Sequence, residues 1–369
     1  MGRLVPAASK RAAPRAGRES GAASAAGAGR CSERGTTPTS VGLDRARRGP
    51  QAGGETGGRN RHADAAPTGP TGPPRPMIPG FAEARVETGE VALSLHRGGS
   101  GPALVLLHGF PQDHRCWAAT APRFAERFDV LVPDLRGYGA SDAPPDDEAH
   151  TVYSKRAMAR DVVGLLDALG IGRTHVLGHD RGARVAYRLA LDHPGRVGRL
   201  GILEVVPTLD FWEAWDAELA MAAYHWTFLA QPAPWPERLI GADPEGWVDH
   251  TLAAWTRAKT LDAFPPEALA AYRAQMADPA RRRAMCADYR AGATTDRRLD
   301  AESRAAGARI EAPLRFLWAE GGFPARTGDP AGLWRRWARD VSDRSCAAGH
   351  FIPEEAPDAV WEAFADIFG

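Results

Sequence analysis

The sequence is poor in cysteine and lacks the cysteine spacing of a disulfide or metal framework. Its four cysteines (Cys31, Cys116, Cys286 and Cys346) are widely separated and include no Cys-x-x-Cys pair. Disulfides persist mainly in oxidising compartments, so this sparse pattern favours a reducing one. We therefore expect a cytoplasmic protein without a metal site, and no residue pattern indicates a cofactor.

The sequence also has no apolar run of roughly 18 residues, the length that a membrane-spanning helix needs. Its N-terminus lacks the apolar segment of a secretory signal, and the twin arginine Arg47-Arg48 is followed by glycine, proline and polar residues. Neither a membrane span nor export is predicted.

An excess of charge of one sign is absent overall, since 46 basic residues balance 46 acidic ones. Residues 1–76 hold 12 Arg and 1 Lys against 5 acids, which leaves 33 basic and 41 acidic residues in the rest of the chain. This mildly acidic remainder lacks the clustered basic surface that nucleic acids and anionic membranes require. We expect neither as a partner, and we expect the substrate to be a small molecule.

Residues 1–76 lack aromatic residues and isoleucine and consist mainly of Ala, Gly, Arg, Pro, Ser and Thr. Such a segment buries too little apolar area to offset the entropy of ordering it, so we expect a disordered low-complexity leader. Met77 opens the first sequence with core character. One hypothesis is that translation begins at Met77 and that the leader is absent from the native protein.

Beyond Met77 the pattern alternates between buried strands and helices, and a hairpin is predicted around Gly89. Residues 207–306 are rich in Trp, Ala, Pro and charged residues and predict helices only, after which the alternation resumes. This predicts an α/β fold with a mostly parallel sheet covered on both faces. The core would comprise residues 77–206 and 307–369, and residues 207–306 would form a helical cap over the sheet edge where ligands bind. Strands are predicted at 103–107, 128–132, 174–177, 200–206, 314–318 and 341–346.

The sequence Gly178-His179-Asp180-Arg181-Gly182 lies between a predicted strand and a predicted helix. Small residues on both sides of a central residue are typical of a nucleophile elbow, a sharp turn that presents the central side chain. The central residue here is a carboxylate, so Asp180 is predicted to be a covalent nucleophile. The alternative is an aspartate that only caps the helix.

His350 follows the last predicted strand, the position of the base when the chain order is nucleophile, acid, histidine. The acid that orients His350 should follow one of the two strands after the elbow. Glu204, which ends Leu200-Gly201-Ile202-Leu203, is the first choice, and Glu320, which follows the strand at 314–318, is the alternative.

Two further features are expected next to Asp180. His108-Gly109-Phe110-Pro111 follows a strand, so the Phe110 N–H and the Arg181 N–H are predicted to form an oxyanion hole, although a simple tight turn is the alternative. Arg181 and Arg184 lie beside the nucleophile and in the first turn of the next helix, where a guanidinium favours a substrate carboxylate.

With these motifs the chain resembles the fluoroacetate and haloacetate dehalogenases of the α/β-hydrolase superfamily over residues 77–369. The resemblance implies the α/β-hydrolase fold, a halide site formed by His225, Trp226 and Tyr289, and a place for Trp255 in the pocket wall. The chain departs from well-known haloacid members at Glu204, where they carry Asp. The motifs that carry the resemblance are His108–Pro111, Asp134–Gly139, Gly178–Arg184, Ala190–Pro194, Tyr224–Trp226, Gly241–Pro244 and Asp288–Gly292.

The function that these residues predict is hydrolytic removal of halide from a short 2-haloacid, with water as the second substrate and an ester of Asp180 as intermediate. An epoxide hydrolase is the nearest alternative, because it would use the same three catalytic residues with Tyr224 and Tyr289 as proton donors. A third hypothesis is a ligand-binding protein without catalytic activity, because a fold does not by itself determine function. The sequence leaves open the preferred halogen and whether the protein is a homodimer.

Overall fold

A computed structural model describes residues 78–368 of the chain. The predicted leader, residues 1–76, and Met77 lie outside the described residues. The described part contains one eight-stranded sheet with the order β1-β2-β4-β3-β5-β6-β7-β8. The strands are β1 (Ala82–Glu87), β2 (Ala92–Gly99), β3 (Ala103–Leu107), β4 (Asp129–Pro133), β5 (Thr174–His179), β6 (Val197–Leu203), β7 (Leu314–Ala319) and β8 (Val341–Cys346).

The first two strands form the predicted hairpin, and β2 is antiparallel to both of its neighbours. The other neighbouring strands pair in parallel. Side chains of β3 alternate between two hydrophobic clusters, with Val105 and Leu107 in one and Leu104 and Leu106 in the other. Burial of both faces is the property of parallel sheets that the apolar runs predicted. The predicted α/β-hydrolase architecture is therefore confirmed.

Helices cover both faces of the sheet and also fill the segment between β6 and β7. We refer to Thr208–Ala305, which contains α4–α11 and no strand within its fully described length, as the helical insertion. The helices are α1 (Ala121–Ala125), α2 (Lys155–Ala168), α3 (Arg181–Asp192), α4 (Thr208–Glu213), α5 (Ala217–Ala222), α6 (His225–Leu229), α7 (Trp235–Ala242), α8 (Pro244–Trp255), α9 (Pro266–Ala277), α10 (Pro279–Ala293), α11 (Thr295–Ala305), α12 (Pro330–Trp337), α13 (Ile352–Glu355) and α14 (Pro357–Phe364), with short 3-10 turns at His114–Trp117, Pro194–Arg196 and Pro324–Thr327.

Strand register brings the predicted catalytic residues to one edge. His179 at the end of β5 pairs with Leu203 at the end of β6, and Leu203 pairs with Leu317 of β7. Residues that directly follow these parallel strands therefore emerge side by side at their carboxyl ends, which is where open α/β sheets bind ligands. None of the helices in residues 78–368 is long and apolar enough to cross a membrane.

Candidate active site

The turn between β5 and α3 presents Asp180. Its backbone has φ 46° and ψ −114°, a conformation that residues other than glycine adopt only when the surrounding structure constrains them. A Cβ on Gly182 would lie 2.4 Å from the carbonyl oxygens of Leu107 and His108, so the helix can start this close to β3 only with glycine there. These features are those of the predicted elbow.

The loop after β3 lies directly against the Asp180 carboxylate. The Phe110 N–H donates to Asp180 Oδ1 at 2.9 Å. A Cβ on Gly109 would lie only 2.5 Å from the Asp180 Cβ, which explains why this loop needs glycine. Arg181 is the first residue of α3, where an N–H has no acceptor within the helix. Both N–H groups predicted for an oxyanion hole therefore lie on the elbow or directly opposite it.

His350 lies between two carboxylates. Its Nε2 is 3.6 Å from Asp180 Oδ2, and its Nδ1 is 3.9 Å from Glu204 Oε1. Both separations are ion-pair distances and are longer than hydrogen bonds. The longer glutamate side chain is anchored elsewhere, because Glu204 accepts hydrogen bonds from the Ala319 N–H at 2.6 Å and the Phe323 N–H at 3.1 Å.

The alternative acid is oriented differently. Glu320 is exposed, and its Oε1 accepts a hydrogen bond from the Ser345 hydroxyl of β8 at 3.2 Å. Glu204 is only 1% exposed and lies within 4 Å of the His350 ring. The structure therefore brings Glu204, and not Glu320, to the histidine.

Charges in this group determine one another's protonation. Burial by itself would raise the pKa of Asp180, but the close approach and charge of His350 outweigh burial and hold that pKa well below its usual value. Burial would likewise lower the pKa of His350, yet Asp180 and Glu204 together raise it to about 9. These shifts favour an ionised Asp180 and a protonated His350 in the absence of substrate.

Arg181 is fully buried, and most of its donors are already used. Its Nε and Nη2 donate to the Asp288 carboxylate at 3.0 and 2.6 Å, and Nη2 also donates to the Asp288 carbonyl oxygen. Nη1 is buried and has no partner among the described residues. Only one nitrogen of this guanidinium therefore lacks a partner among the described residues, which leaves fewer free donors than the sequence argument assumed.

The sequence analysis did not identify Asp288 as the partner of Arg181. Besides Arg181 it pairs closely with Lys155, and it accepts a hydrogen bond from the Tyr138 hydroxyl at 2.7 Å. Burial would raise the pKa of Asp288, but the two cations lower it to about 2. Two facts could have indicated this pairing. Asp288 directly precedes Tyr289, which was itself a predicted site residue, and a buried arginine such as Arg181 requires an anionic partner.

Arg184 lines the cavity beside Asp180. Its Nη1 donates to the Val206 carbonyl oxygen at 3.1 Å and to the Thr208 hydroxyl at 3.0 Å, whereas its buried Nε has no partner among residues 78–368. The guanidinium lies 4.5 Å above the ring of Trp226, a distance that permits a cation–π interaction.

The three residues predicted to hold halide lie together. His225, Trp226 and Tyr289 are buried, with ring centroids 5.6 Å apart for His225 and Tyr289 and 6.0 Å apart for Trp226 and Tyr289. Burial holds the pKa of His225 well below its usual value, so the ring is neutral, and its buried Nδ1 has no partner in the described part of the chain. Burial also raises the pKa of Tyr289 well above its usual value, so its hydroxyl keeps its proton.

A narrow cavity lies between the sheet edge and the helical insertion. Phe323 is a wall residue that the sequence did not reveal, and its ring lies 5.2 Å from that of His350 and 5.9 Å from that of His225. Trp255 contacts His225 with a ring separation of 4.1 Å and accepts a hydrogen bond from the His350 N–H through its carbonyl oxygen. The cavity is lined by Asp180, Arg184, Glu204, Val205, Val206, Phe211, His225, Trp226, Phe323, Pro324 and His350.

Comparison with known proteins connects this arrangement to a family. A family model described as "alpha/beta hydrolase fold" matches residues 102–289. The chain is 42% identical to a fluoroacetate dehalogenase from Burkholderia sp. over 282 residues, and this alignment covers 76% of this chain and 92% of that protein. The chain belongs to the haloacetate dehalogenase family of the α/β hydrolases.

Other members of the superfamily are also similar to this dehalogenase-family chain. A soluble epoxide hydrolase from Corynebacterium sp. (strain C12) is 33% identical over 273 residues, which cover 73% of this chain and 91% of that protein. The solved structure of a candidate epoxide hydrolase from Pseudomonas aeruginosa is 46% identical, with a TM-score of 0.74 and coverage of 79% of this chain and 96% of that one. Family membership therefore establishes a hydrolase, while the substrate is a separate question.

Proposed function

We propose that this protein hydrolyses the carbon–halogen bond of a short 2-haloacid through an ester of Asp180. The observation that carries the proposal is the placement of an ionised Asp180 in a small cavity with Arg184 on its wall and neutral donors, His225 among them, on the insertion side. The cavity is narrow and lies between the sheet edge and the helical insertion, which favours a small substrate. A two- or three-carbon acid belongs to that size class.

Asp180 would attack the carbon that carries the halogen. A bond forms between Asp180 Oδ and carbon as the carbon–halogen bond breaks, and the halide leaves with the bonding electron pair. The unpartnered Arg184 Nε and Arg181 Nη1 are available to bind the substrate carboxylate. A guanidinium N–H to carboxylate contact is a charge-assisted hydrogen bond and would orient the reacting carbon.

The halide would depart toward His225, the indole N–H of Trp226 and the hydroxyl of Tyr289. Neutral donors strengthen their hydrogen bonds as negative charge develops on the leaving atom, which favours the transition state over the bound substrate. The neutral state of His225 supports this role, because an imidazolium would bind the product halide more tightly and slow its release.

Hydrolysis of the ester would use His350 as the base. Esterification removes the negative charge of Asp180, which is the first of the groups that raise the pKa of His350. The pKa of His350 then falls, the ring loses its proton, and its neutral form can take a proton from water. The water oxygen enters the Asp180 carboxylate, the hydroxyacid leaves, and the Phe110 and Arg181 N–H groups stabilise the oxyanion. Glu204 would stabilise the imidazolium that forms.

A substrate panel tests the proposal. Purified protein is incubated with fluoroacetate, chloroacetate, bromoacetate and styrene oxide, and halide and diol are quantified. We expect halide release from at least one haloacetate, no diol, and no halide release by Asp180→Ala. Diol formation without halide release would replace the proposal with an epoxide hydrolase.

The epoxide alternative is supported by the 33% identity to the Corynebacterium enzyme. It requires two proton donors above the nucleophile, and Tyr289 is a buried candidate for one. Tyr224, the candidate for the other, is 41% exposed. This difference is why we favour the haloacid.

A further inference from the structure

A series of hydrogen bonds runs behind the candidate site from Glu354 to the main chain of His350. The side-chain NH₂ group of Gln112 donates to Glu354 Oε2 in a close contact. The Gln112 amide oxygen lies 3.0 Å from His179 Nδ1, and His179 Nε2 lies 2.8 Å from the His350 carbonyl oxygen. Gln112 and His179 are fully buried, and the catalytic scheme above uses neither side chain.

The hydrogens on His179 determine how this series must be arranged. Burial, and next the charge of His350, lower the pKa of His179 to about 3, so its ring is neutral and carries one N–H. The His350 carbonyl oxygen only accepts, which assigns that hydrogen to Nε2. His179 Nδ1 must then accept, which requires the Gln112 amide to be reversed relative to its orientation in the structure, with its NH₂ group toward His179.

The reversed orientation of Gln112 has a consequence at Glu354. The Gln112 amide oxygen then faces Glu354 Oε2, and two acceptor oxygens at that separation require a hydrogen between them. A protonated Glu354 supplies it. An ionised Glu354 instead attracts the Gln112 NH₂ group, which is the orientation in the structure, so that the amide oxygen faces His179 Nδ1 and the ring hydrogen moves there. His179 Nε2 would then face the His350 carbonyl oxygen with a lone pair.

From this geometry we propose that Glu354, in its protonated form, is a positioning residue for His350 that acts through Gln112 and His179. Ionisation of Glu354 would reverse the Gln112 amide, change the His179 tautomer and break the hydrogen bond to the His350 carbonyl group. The N–H of His350 would remain bonded to the Trp255 carbonyl oxygen. The histidine would therefore lose one of its two main-chain anchors as pH rises.

The surroundings of Glu354 favour the protonated form near neutral pH. Burial is the main reason that its pKa rises to about 8, and the negative charges of Asp113 and Glu355 raise it further, against the hydrogen bonds from Tyr272 and Gln112. The Tyr272 hydroxyl of α9 donates to Glu354 Oε1 at 2.9 Å, and Cys116 is a further titratable neighbour, with a raised pKa that keeps it neutral. The groups with the largest effects on the pKa of Glu354 include no cation.

The imidazole nitrogens of His179 provide a test that does not depend on the substrate. Protein with ¹⁵N-labelled histidine is titrated from about pH 6 to about pH 10, and the His179 signals are assigned by their loss in His179→Gln. We expect the Nε2–H tautomer at low pH and the Nδ1–H tautomer at high pH. Glu354→Gln carries a permanent amide donor toward Gln112, so it should keep the Nε2–H tautomer throughout. A wild-type tautomer that does not change, or the same change in Glu354→Gln, would overturn the proposal.

Two variants control the titration. Glu355→Gln removes the neighbouring charge without touching Gln112, so the tautomer change should persist with its midpoint at lower pH. Tyr272→Phe removes a donor to the carboxylate, so its midpoint should move to higher pH, and this variant serves if Glu354→Gln does not fold. An unmoved midpoint in Tyr272→Phe would contradict the assignment of the transition to Glu354.

The catalytic consequence rests on the proposed function and is measured separately. In single-turnover reactions with chloroacetate, ester hydrolysis by wild type should fall about 5-fold or more as pH rises past about 8, and by less than about 2-fold in Glu354→Gln. Deprotonation of His350 alone would change the rate in the opposite direction. A tautomer change without haloacid turnover would reject the proposed function but would support the hydrogen-bond series from Glu354 to His350. Turnover with equal alkaline loss in both proteins would reject the positioning role.

Discussion

Asp180 and Glu204 directly follow β-strands and are held by main-chain N–H groups, whereas His225, Trp226 and Tyr289 belong to the helical insertion and pack mainly against other side chains. We call Asp180, Glu204 and His350 the strand half of the site and the three insertion residues the insertion half. In the strand half, main-chain groups fix the positions of the two carboxylates. The insertion half depends on ring packing and on the arginines above Trp226 and Tyr289. In the proposed reaction, the sheet edge would determine the chemistry and the insertion would determine which leaving group is accepted.

Removing the base from the strand half should give the largest effect. His350→Asn keeps a polar side chain but cannot take a proton from water, so ester hydrolysis should fall by on the order of 10³-fold or more while alkylation of Asp180 continues. Mass spectrometry of the variant after exposure to chloroacetate should show a stoichiometric adduct on the peptide containing Asp180. Asp180→Ala with His350→Asn is the control and should show none. Full turnover by His350→Asn would refute its role as base.

The two acids that follow neighbouring strands offer the next comparison. Glu204→Gln removes the charge beside His350, so ester hydrolysis should slow by on the order of 10²-fold. Glu320→Gln changes an exposed side chain and should stay within about 2-fold of wild type. Single-turnover kinetics of ester decay separate the two, and a larger loss in Glu320→Gln would reverse the assignment.

Sequence reasoning located the elbow correctly because Gly178-x-Asp180-x-Gly182 is a local requirement of a sharp strand-to-helix turn. It could not decide between Glu204 and Glu320, because each directly follows a buried strand. The choice depends on the direction of the side chain: Glu204 has φ 59° and reaches the N–H groups of Ala319 and Phe323, while Glu320 extends into solvent.

Long-range pairing explains the remaining gaps. Asp288 is 107 residues from Arg181 in the sequence, so no local pattern joins them. Strand bounds were predicted within a few residues, as for β6, which begins at Val197 and not at residue 200. The fold was therefore accessible from periodicity and motifs, whereas the partner of the buried arginine required the tertiary structure.

The ion pair that links the two halves should affect stability. Asp288→Asn leaves the buried Arg181 and Lys155 without their shared anion, which should lower the free energy of unfolding by about 3–5 kcal/mol. Chemical denaturation at neutral pH measures this change. Tyr138→Phe removes only a hydroxyl donor to the same carboxylate and should cost about 1 kcal/mol. Equal stabilities of Asp288→Asn and wild type would show that the pair does not hold the insertion to the core.

A change in the insertion half should alter halogen preference more than overall chemistry. Trp226→Phe keeps a ring below Arg184 but loses the indole N–H. Turnover should therefore fall most for the substrate with the poorest leaving group. We expect turnover of fluoroacetate to fall about 10-fold and that of bromoacetate about 2-fold. Halide-release rates for both substrates give the ratio, and equal losses would indicate that Trp226 acts only through packing.

Single-turnover labelling in ¹⁸O water tests the central claim most directly. Excess enzyme is mixed with chloroacetate, and the peptide containing Asp180 and the glycolate product are analysed by mass spectrometry. If Asp180 is the nucleophile and water attacks its ester carbonyl, the heavy oxygen will appear in the Asp180 carboxylate and the glycolate will be unlabelled. Heavy oxygen in the glycolate after one turnover, with none in Asp180, would mean that water attacks the substrate carbon directly, and the covalent mechanism would be wrong.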